Sequence, residues 1–246
     1  LGLYTLFSHY HQKVKPLQHF TKPQGKTMLM ILSLGLPIGL AIFVEVSLFC
    51  IIALLIARLG PDVVAAHQIT LNISSLLFMV PLSLALALTV RVGQELGHGN
   101  AVAARKAWLT GLKINLVFSL TNASILYFLG STIVSLYSSD STVTNLASQL
   151  LLYAALFQIS DGLQVAAAGA LRGYKDTLVT LLLIIVSFWF VGLPLGYYLG
   201  LSGDAPLGAE GFWMGLVVGL SINAVLLLMR LKKVSIQTHN SMGIKV

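Results

Sequence analysis

Two acidic side chains lie inside long apolar stretches of the sequence and are the strongest candidates for chemistry. Glu45 lies within the apolar run 28–57, and Asp161 lies within the run 146–171. A carboxylate at the centre of a bilayer costs about 2.5–3.5 kcal/mol on insertion scales, so intramembrane acidic residues are rare and generally functional. No basic residue is predicted at the same depth, so we expect Glu45 and Asp161 to bind a cation or a proton.

Amide side chains extend this candidate site along the run that carries Asp161. Gln158, Asp161 and Gln164 are spaced by three residues and therefore share one helix face. Carboxylate and amide oxygens are ligands that suit a hard cation such as Na⁺, and the carboxylates also accept a proton. A buried polar network that only holds helices together is the alternative interpretation of the amides.

A second polar stripe runs along the apolar segment 66–90. Gln68, Asn72 and Ser75 recur at helical spacing, and we expect this stripe to face the bundle interior or a water-filled cavity. Phe157 precedes Asp161 by one turn. We expect core packing for this aromatic side chain, with the lining of a cavity for flat cationic ligands as the alternative.

The composition places these residues in a membrane protein. Apolar residues make up 57% of the 246 residues and charged residues 9%, against about 25% charged residues in soluble domains. Runs of about 20 apolar residues predict transmembrane helices. We therefore predict an all-α membrane protein, a six-transmembrane-helix bundle with spans at about 28–57, 66–90, 107–136, 146–171, 177–200 and 209–230.

The basic residues predict the orientation of this bundle. When successive connections alternate between two sides, all of the 15 Lys and Arg residues except Arg58 and Lys113 fall on the side that holds both chain ends. This bias predicts that both ends are cytoplasmic. The net charge of +7 is thus a topology signal, and no clustered basic face indicates nucleic acid as a partner.

The flanking segments complete the predicted domain organisation. Residues 1–7 are apolar but too short to span a bilayer, so we interpret residues 1–27 as the end of a preceding helix plus a cytoplasmic linker. Residues 28–232 form the predicted bundle, and residues 233–246 form a poorly ordered cytoplasmic tail. We expect a longer cytoplasmic loop at 91–106.

Histidine and cysteine do not indicate a metal site. His67 begins the second span, and three more histidines cluster in the first connection at His9, His11 and His19. Because no cysteine or acidic ligand set accompanies them, we expect solvated histidines rather than zinc ligands. Cys50 is the single cysteine, which excludes an internal disulfide.

Prolines and glycines inside the spans predict local packing features. Pro37, Pro81 and Pro194 each remove a backbone hydrogen bond and favour a kink. Glycines at intervals of four residues predict close helix packing in the last two spans. They are Gly192, Gly196 and Gly200 in one span, and Gly211, Gly215 and Gly219 in the other.

Four segments of the sequence are specific enough to compare with a known family. They are LGLPIGLAIFVEVSLF around Glu45, AAHQITLNISSLLFMVPLSLALALTVRVGQELG, QISDGLQVAAAGALRGYKDT around Asp161, and GLPLGYYLG. They resemble the MATE multidrug transporters, and the NorM-type branch in particular. The resemblance covers residues 27–232. It implies that the chain is the C-terminal six-helix bundle, helices seven to twelve, of a twelve-helix transporter whose N-terminal six-helix bundle is missing here.

The resemblance also implies an activity. Members of this family export organic-cation drugs by antiport against Na⁺ or H⁺, which implies a transporter in a bacterial inner membrane, with no enzyme activity and no cofactor beyond the coupling ion. In NorM-type members a glutamate and an aspartate that match Glu45 and Asp161 contribute to the coupling-cation site. Some relatives carry Tyr one turn before this aspartate, where this sequence has Phe157.

Two other functions are alternatives to drug antiport. A lipid-linked substrate flippase of the same superfamily would favour a more basic cavity, and no basic residue is predicted at mid-membrane. An intramembrane hydrolase would use Glu45 and Asp161 as an acid–base pair. Intramembrane aspartyl proteases carry a Gly-x-Gly-Asp motif, whereas Gln-Ile-Ser precedes Asp161.

Overall fold

The computed structural model of the protein describes residues 24–202 and 205–241. The chain divides into two compact units, residues 1–36 and 37–246. The described part of the first unit contains the beginning of helix α1. The second unit contains the rest of α1, five further helices and every candidate site residue. His9, His11 and His19 lie outside the described residues.

Six helices are long and apolar enough to cross a membrane, which confirms the predicted number of spans and the all-α class. They are α1 (Gly25–Ile56, followed by the 3₁₀ turn Ala57–Leu59), α2 (Pro61–Gly97), α3 (Ala101–Ser135), α4 (Ser141–Gly173), α5 (Thr177–Ser202) and α6 (Ala209–Ser241).

Several helices extend beyond the apolar runs that predicted them. The expected loop at 91–106 is a three-residue connection, because α2 continues to Gly97 and α3 starts at Ala101. The Asn100 side chain caps α3 by accepting from the backbone N–H of Ala103 at 2.9 Å. Hydropathy identifies only the part of a helix that lies in the membrane. A helix with a capped end extends beyond that part, through polar residues, into water.

The predicted poorly ordered tail is also wrong as far as the structure describes it, because α6 continues to Ser241. Ser235 is buried in this extension. Its hydroxyl accepts from Trp108 Nε1 of α3 at 3.2 Å and from the Tyr174 hydroxyl at 3.1 Å. These contacts hold the last turns of α6 against the start of α3 and the α4–α5 turn.

Helix α4 lies at the centre of the second unit and packs against α2, α3 and α6. About two thirds of its most apolar stretch is buried, the largest share of the six helices. Small residues allow this crowding. A Cβ added at Gly169 would lie 2.4 Å from the Ala85 carbonyl oxygen of α2. The two backbones therefore touch, and Thr89 Oγ1 donates to the Gly169 carbonyl oxygen at 2.8 Å.

The predicted glycine ladders pack against each other, which confirms their role in close helix packing. A Cβ added at Gly215 would lie 2.5 Å from the Cα of Gly196, and one at Gly211 would lie 2.5 Å from the backbone nitrogen of Gly200. Helix α5 contains two π-helical segments in this region, Val186–Gly192 and Tyr198–Ser202. The contact between α5 and α6 is thus made by backbone against backbone.

Asparagines of α3 support α2 where Pro81 interrupts its hydrogen bonding. Pro81 has no N–H, so the carbonyl of Leu77, four residues earlier, lacks its helical donor. Asn122 Nδ2 donates to this carbonyl at 3.0 Å, and Asn115 Nδ2 donates to the Pro81 carbonyl at 3.4 Å. The carbonyl that the proline leaves free is therefore satisfied from the neighbouring helix, as an apolar surrounding requires.

We predict that Gly215→Ala lowers the melting temperature of the intact protein in detergent, because the added methyl group must push α5 and α6 apart. Gly97→Ala is the control, since no atom lies within 4 Å of a Cβ at Gly97. Alanine favours a helix over glycine by up to about 1 kcal/mol, so the control should be neutral or slightly stabilising. Equal melting temperatures for the two variants would contradict this packing.

We also predict that Asn122→Leu destabilises the protein by about 1–3 kcal/mol, the cost of an unsatisfied carbonyl in an apolar setting. Adding Pro81→Ala should recover most of this loss, because an alanine at this position supplies the missing N–H to the Leu77 carbonyl. Unfolding of the single and double variants measures the effect. A double variant that is less stable than Asn122→Leu alone would show that Asn122 acts in another way.

Candidate functional site

Glu45 is joined to two other helices by a chain of amide hydrogen bonds. It lies half-buried in α1. Gln164 of α4 donates from Nε2 to Glu45 Oε1 at 3.3 Å. Asn223 of α6 donates from Nδ2 to Gln164 Oε1 at 2.8 Å. The hydrogen-bonded series Glu45–Gln164–Asn223 therefore links α1, α4 and α6.

Asp161 lies in the same region of the bundle, on the α4 face that carries Gln164. It is only 4% exposed. Gln164, which contacts Glu45, lies three residues after Asp161, so the two carboxylates lie near the same level of the bundle and repel each other when both are ionised. Within residues 24–202 and 205–241, neither carboxylate forms an ion pair within 4 Å. Arg172, in the last turn of α4, attracts Glu45 only from a greater distance.

The two predicted amides of α4 differ in the atoms that they offer. The Gln164 side-chain oxygen accepts a hydrogen bond from Asn223. The group of Gln164 that faces Glu45 is therefore the N–H donor and not the oxygen. Gln158 donates from Nε2 to the Ser74 carbonyl of α2 at 2.9 Å. Its Oε1 is buried and has no hydrogen-bond partner among the described residues. The expectation of amide oxygens for a cation therefore fits Gln158 and not Gln164 in this arrangement.

Phe157 belongs to an aromatic cluster next to this site. Its ring meets those of Phe49 and Trp213 edge to face, with centroid distances of 6.2 and 5.8 Å. Phe157 is buried, which agrees with the expected core packing. The cluster joins α1, α4 and α6 one turn before Asp161 along α4.

The polar stripe of α2 does not reach the carboxylates. Gln68, Asn72 and Ser75 are exposed, so this stripe does not face the interior of the bundle, and its exposure to a water-filled cavity stays a prediction. Asn72 Oδ1 instead accepts from the Tyr137 hydroxyl, which follows α3, at 3.0 Å. The polar residues of this stretch of α2 that do point inward are His67, Thr70 and Ser74, so the buried face of the helix is offset from the exposed stripe.

The structure adds residues that the sequence analysis missed. Asn223 is fully buried, and a lone asparagine within the apolar run of α6 could have been identified as an intramembrane polar residue. His67 is also buried, at 1% exposure. Trp213 Nε1 donates to His67 Nδ1 at 3.2 Å. No group of three or more His, Cys, Asp or Glu side chains in the described part of the chain could hold a metal ion.

Helix α5 holds α1 beside Glu45. Trp189 lies in the first π-helical segment of α5 and donates from Nε1 to the Val44 carbonyl at 3.2 Å. This contact fixes the backbone one residue before Glu45. The position of the Glu45 carboxylate thus depends on the Gln164 side chain in front of it and on the Trp189 contact with its backbone.

Comparison with known proteins identifies the family. The MatE family model matches residues 37–198, which include α4 and both carboxylates. The chain belongs to the MatE family. A solved relative, the eukaryotic MATE transporter AtDTX14, superimposes with a TM-score of 0.84 at 25% identity, over 98% of this chain and 55% of that one. The fold of this MatE chain is therefore that of part of a MATE transporter.

Bacterial relatives are more similar in sequence. The chain is 44% identical to the probable multidrug resistance protein NorM of Idiomarina loihiensis, over 95% of this chain and 51% of that protein. It is 47% identical to the multidrug resistance protein PmpM of Pseudomonas aeruginosa, over 86% of this chain and 45% of that protein. The chain spans about half the length of the curated relatives it matches.

Proposed function

We propose that this chain forms the half of a multidrug efflux transporter that carries the coupling-cation site, and that Glu45 and Asp161 bind Na⁺ or H⁺ in exchange for organic cations. The observation that carries this proposal is the hydrogen bond from Gln164 to Glu45, because it holds the Glu45 carboxylate against the face of α4 on which Asp161 lies, three residues before Gln164. The relatives named as multidrug resistance proteins support the drug-export part.

The chemistry of the site follows from two like charges in a region of low dielectric. Two ionised carboxylates at Glu45 and Asp161 repel each other, and no ion pair within the described residues compensates them. A bound proton or Na⁺ removes part of this repulsion and draws α1 toward α4. An ion changes the balance between two conformations only if it binds them with unequal affinity. Ion binding therefore favours the conformation in which α1 and α4 lie closest to each other near Glu45 and Asp161.

The partner that completes the transporter is a second six-helix bundle. The chain covers 51% of its Idiomarina relative, so the full protein has room for such a bundle. We place the drug cavity between the two bundles, with the exposed polar stripe of Gln68 and Asn72 facing it. The excess of basic residues on one side supports a cytoplasmic location for both ends of the chain. The bacterial relatives make the inner membrane the expected location.

We predict that Glu45→Gln and Asp161→Asn each reduce drug resistance at least tenfold when the intact transporter is expressed in a strain that lacks its own efflux pumps. Each substitution removes a negative charge that the coupling cation needs. Glu95→Gln is the control, because Glu95 pairs with Arg91 at 2.6 Å near the end of α2, away from the site. Unchanged resistance in both site variants at normal protein levels would refute the assigned role.

A second prediction concerns the driving force. In membrane vesicles that contain the intact transporter, an imposed Na⁺ or proton gradient should drive the transport of a cationic dye. Glu45→Gln should abolish the response to that gradient, because the ion then has no complete site. Transport is followed by dye fluorescence. Ion coupling at this site would be contradicted by dye transport that depends on neither gradient. It would also be contradicted if Glu45→Gln kept the gradient dependence of the wild type.

A further inference from the structure

Asn223 lies outside the pair of carboxyl groups but determines what they face. It is fully buried in α6, and Gln164 is 3% exposed. Asn223 Nδ2 donates to Gln164 Oε1 at 2.8 Å, and Gln164 Nε2 donates to Glu45 Oε1 at 3.3 Å. The amide of Gln164 is therefore held at both ends, one end by α6 and the other by α1.

The two ends of the Gln164 amide have opposite effects on an ion at Glu45. An amide carries an NH₂ donor and a carbonyl acceptor. A donor that faces the carboxylate stabilises its ionised, ion-free form and competes with an incoming cation for the same oxygens. A carbonyl oxygen in that position would instead accept from a protonated carboxyl group or bind Na⁺. The orientation of Gln164 thus decides whether it opposes or assists ion binding.

The Gln164–Asn223 pair has two possible orientations, and the contact in the structure favours one of them. In the structure it donates, which fixes the Gln164 oxygen away from Glu45. Asn223 Oδ1 is buried and has no hydrogen-bond partner among the described residues. If both amides rotate, Asn223 Oδ1 accepts from Gln164 Nε2, and the Gln164 oxygen faces Glu45. The series then has two arrangements, one suited to the empty site and one to the occupied site.

We propose that Asn223 is a positioning residue that sets the ion affinity of the site through Gln164. In the arrangement of the structure it keeps the Gln164 donor on Glu45 and lowers the affinity for the coupling cation, as an antiporter requires in the state that releases its ion. This inference rests on the proposed function. It adds α6 to the helices that control the ion, since a movement of α6 would change the orientation of Gln164.

The test measures ion binding to the intact transporter in nanodiscs. Na⁺ is titrated against N-methylglucamine at constant pH, and protons are titrated without Na⁺, with tryptophan fluorescence as the signal. Trp189 touches the backbone beside Glu45 and serves as the reporter. Asn223→Leu should lower the half-saturating ion concentration about fivefold, the effect of losing one typical hydrogen bond. Asn223→Ser, which is too short to reach Gln164, should give the same shift if the leucine variant does not fold.

Two further variants separate positioning from general packing. Ser221→Ala removes another polar contact between α6 and α4, the 2.8 Å contact of Ser221 with Ser160, without touching Gln164. Its half-saturating concentration should stay within about twofold of the wild type, since it loses no contact in the series that reaches Glu45. In a Gln164→Leu background, Asn223→Leu should have no further effect, because the effects of interacting residues are not additive.

Three results would overturn the inference. They are an unchanged or weaker ion affinity in Asn223→Leu, a shift of the same size in Ser221→Ala, and a full shift that persists in the Gln164→Leu background. Glu45→Gln in the same assay distinguishes the two proposals. If Glu45→Gln leaves ion binding intact, the proposed function fails. If Glu45→Gln abolishes ion binding and Asn223→Leu has no effect, only the role of Asn223 fails.

Discussion

The amide of Gln164 donates to Glu45 and accepts from Asn223, and these two hydrogen bonds connect three helices beside the buried carboxyl group of Asp161. A buried carboxylate without a partner is costly, and a bundle that keeps two of them must supply polar contacts or an ion. Gln164 supplies one such contact to Glu45. The packing of α1, α4 and α6 around Gln164 therefore gives the Glu45 carboxylate a hydrogen-bond donor.

Close backbone packing makes that arrangement stable. Without a hydrophobic drive between helices in lipid, bundles depend on small residues and on satisfied polar groups. Helix α4 approaches α2 at Gly169, and α5 approaches α6 along the glycine ladders. The carbonyl that Pro81 leaves free is satisfied by Asn122. These contacts hold the helices around α4 closely together.

The parts of this structure that sequence could predict are those with a strong one-dimensional signal. Long apolar runs predicted six spans, and spacing of four residues predicted the glycine contacts. The acidic residues stood out because a charge in an apolar run is rare. Helix ends were missed, since α6 continues through polar residues to Ser241 once Ser235 is buried against Trp108. Three-dimensional pairing was also missed. Gln68 and Asn72 fell on the exposed face of α2, while Asn223, distant in sequence, completed the site.

Release of bound coupling ion when drug binds to the purified intact transporter is the decisive measurement for the role of the two carboxyl groups. A cationic dye is added in the absence of any gradient, and released protons and Na⁺ are measured. We expect the wild-type protein to release one of these ions and the Glu45→Gln/Asp161→Asn double variant, still folded, to release none. Release of a wild-type amount by the double variant would contradict the assignment of these carboxyl groups as the coupling site.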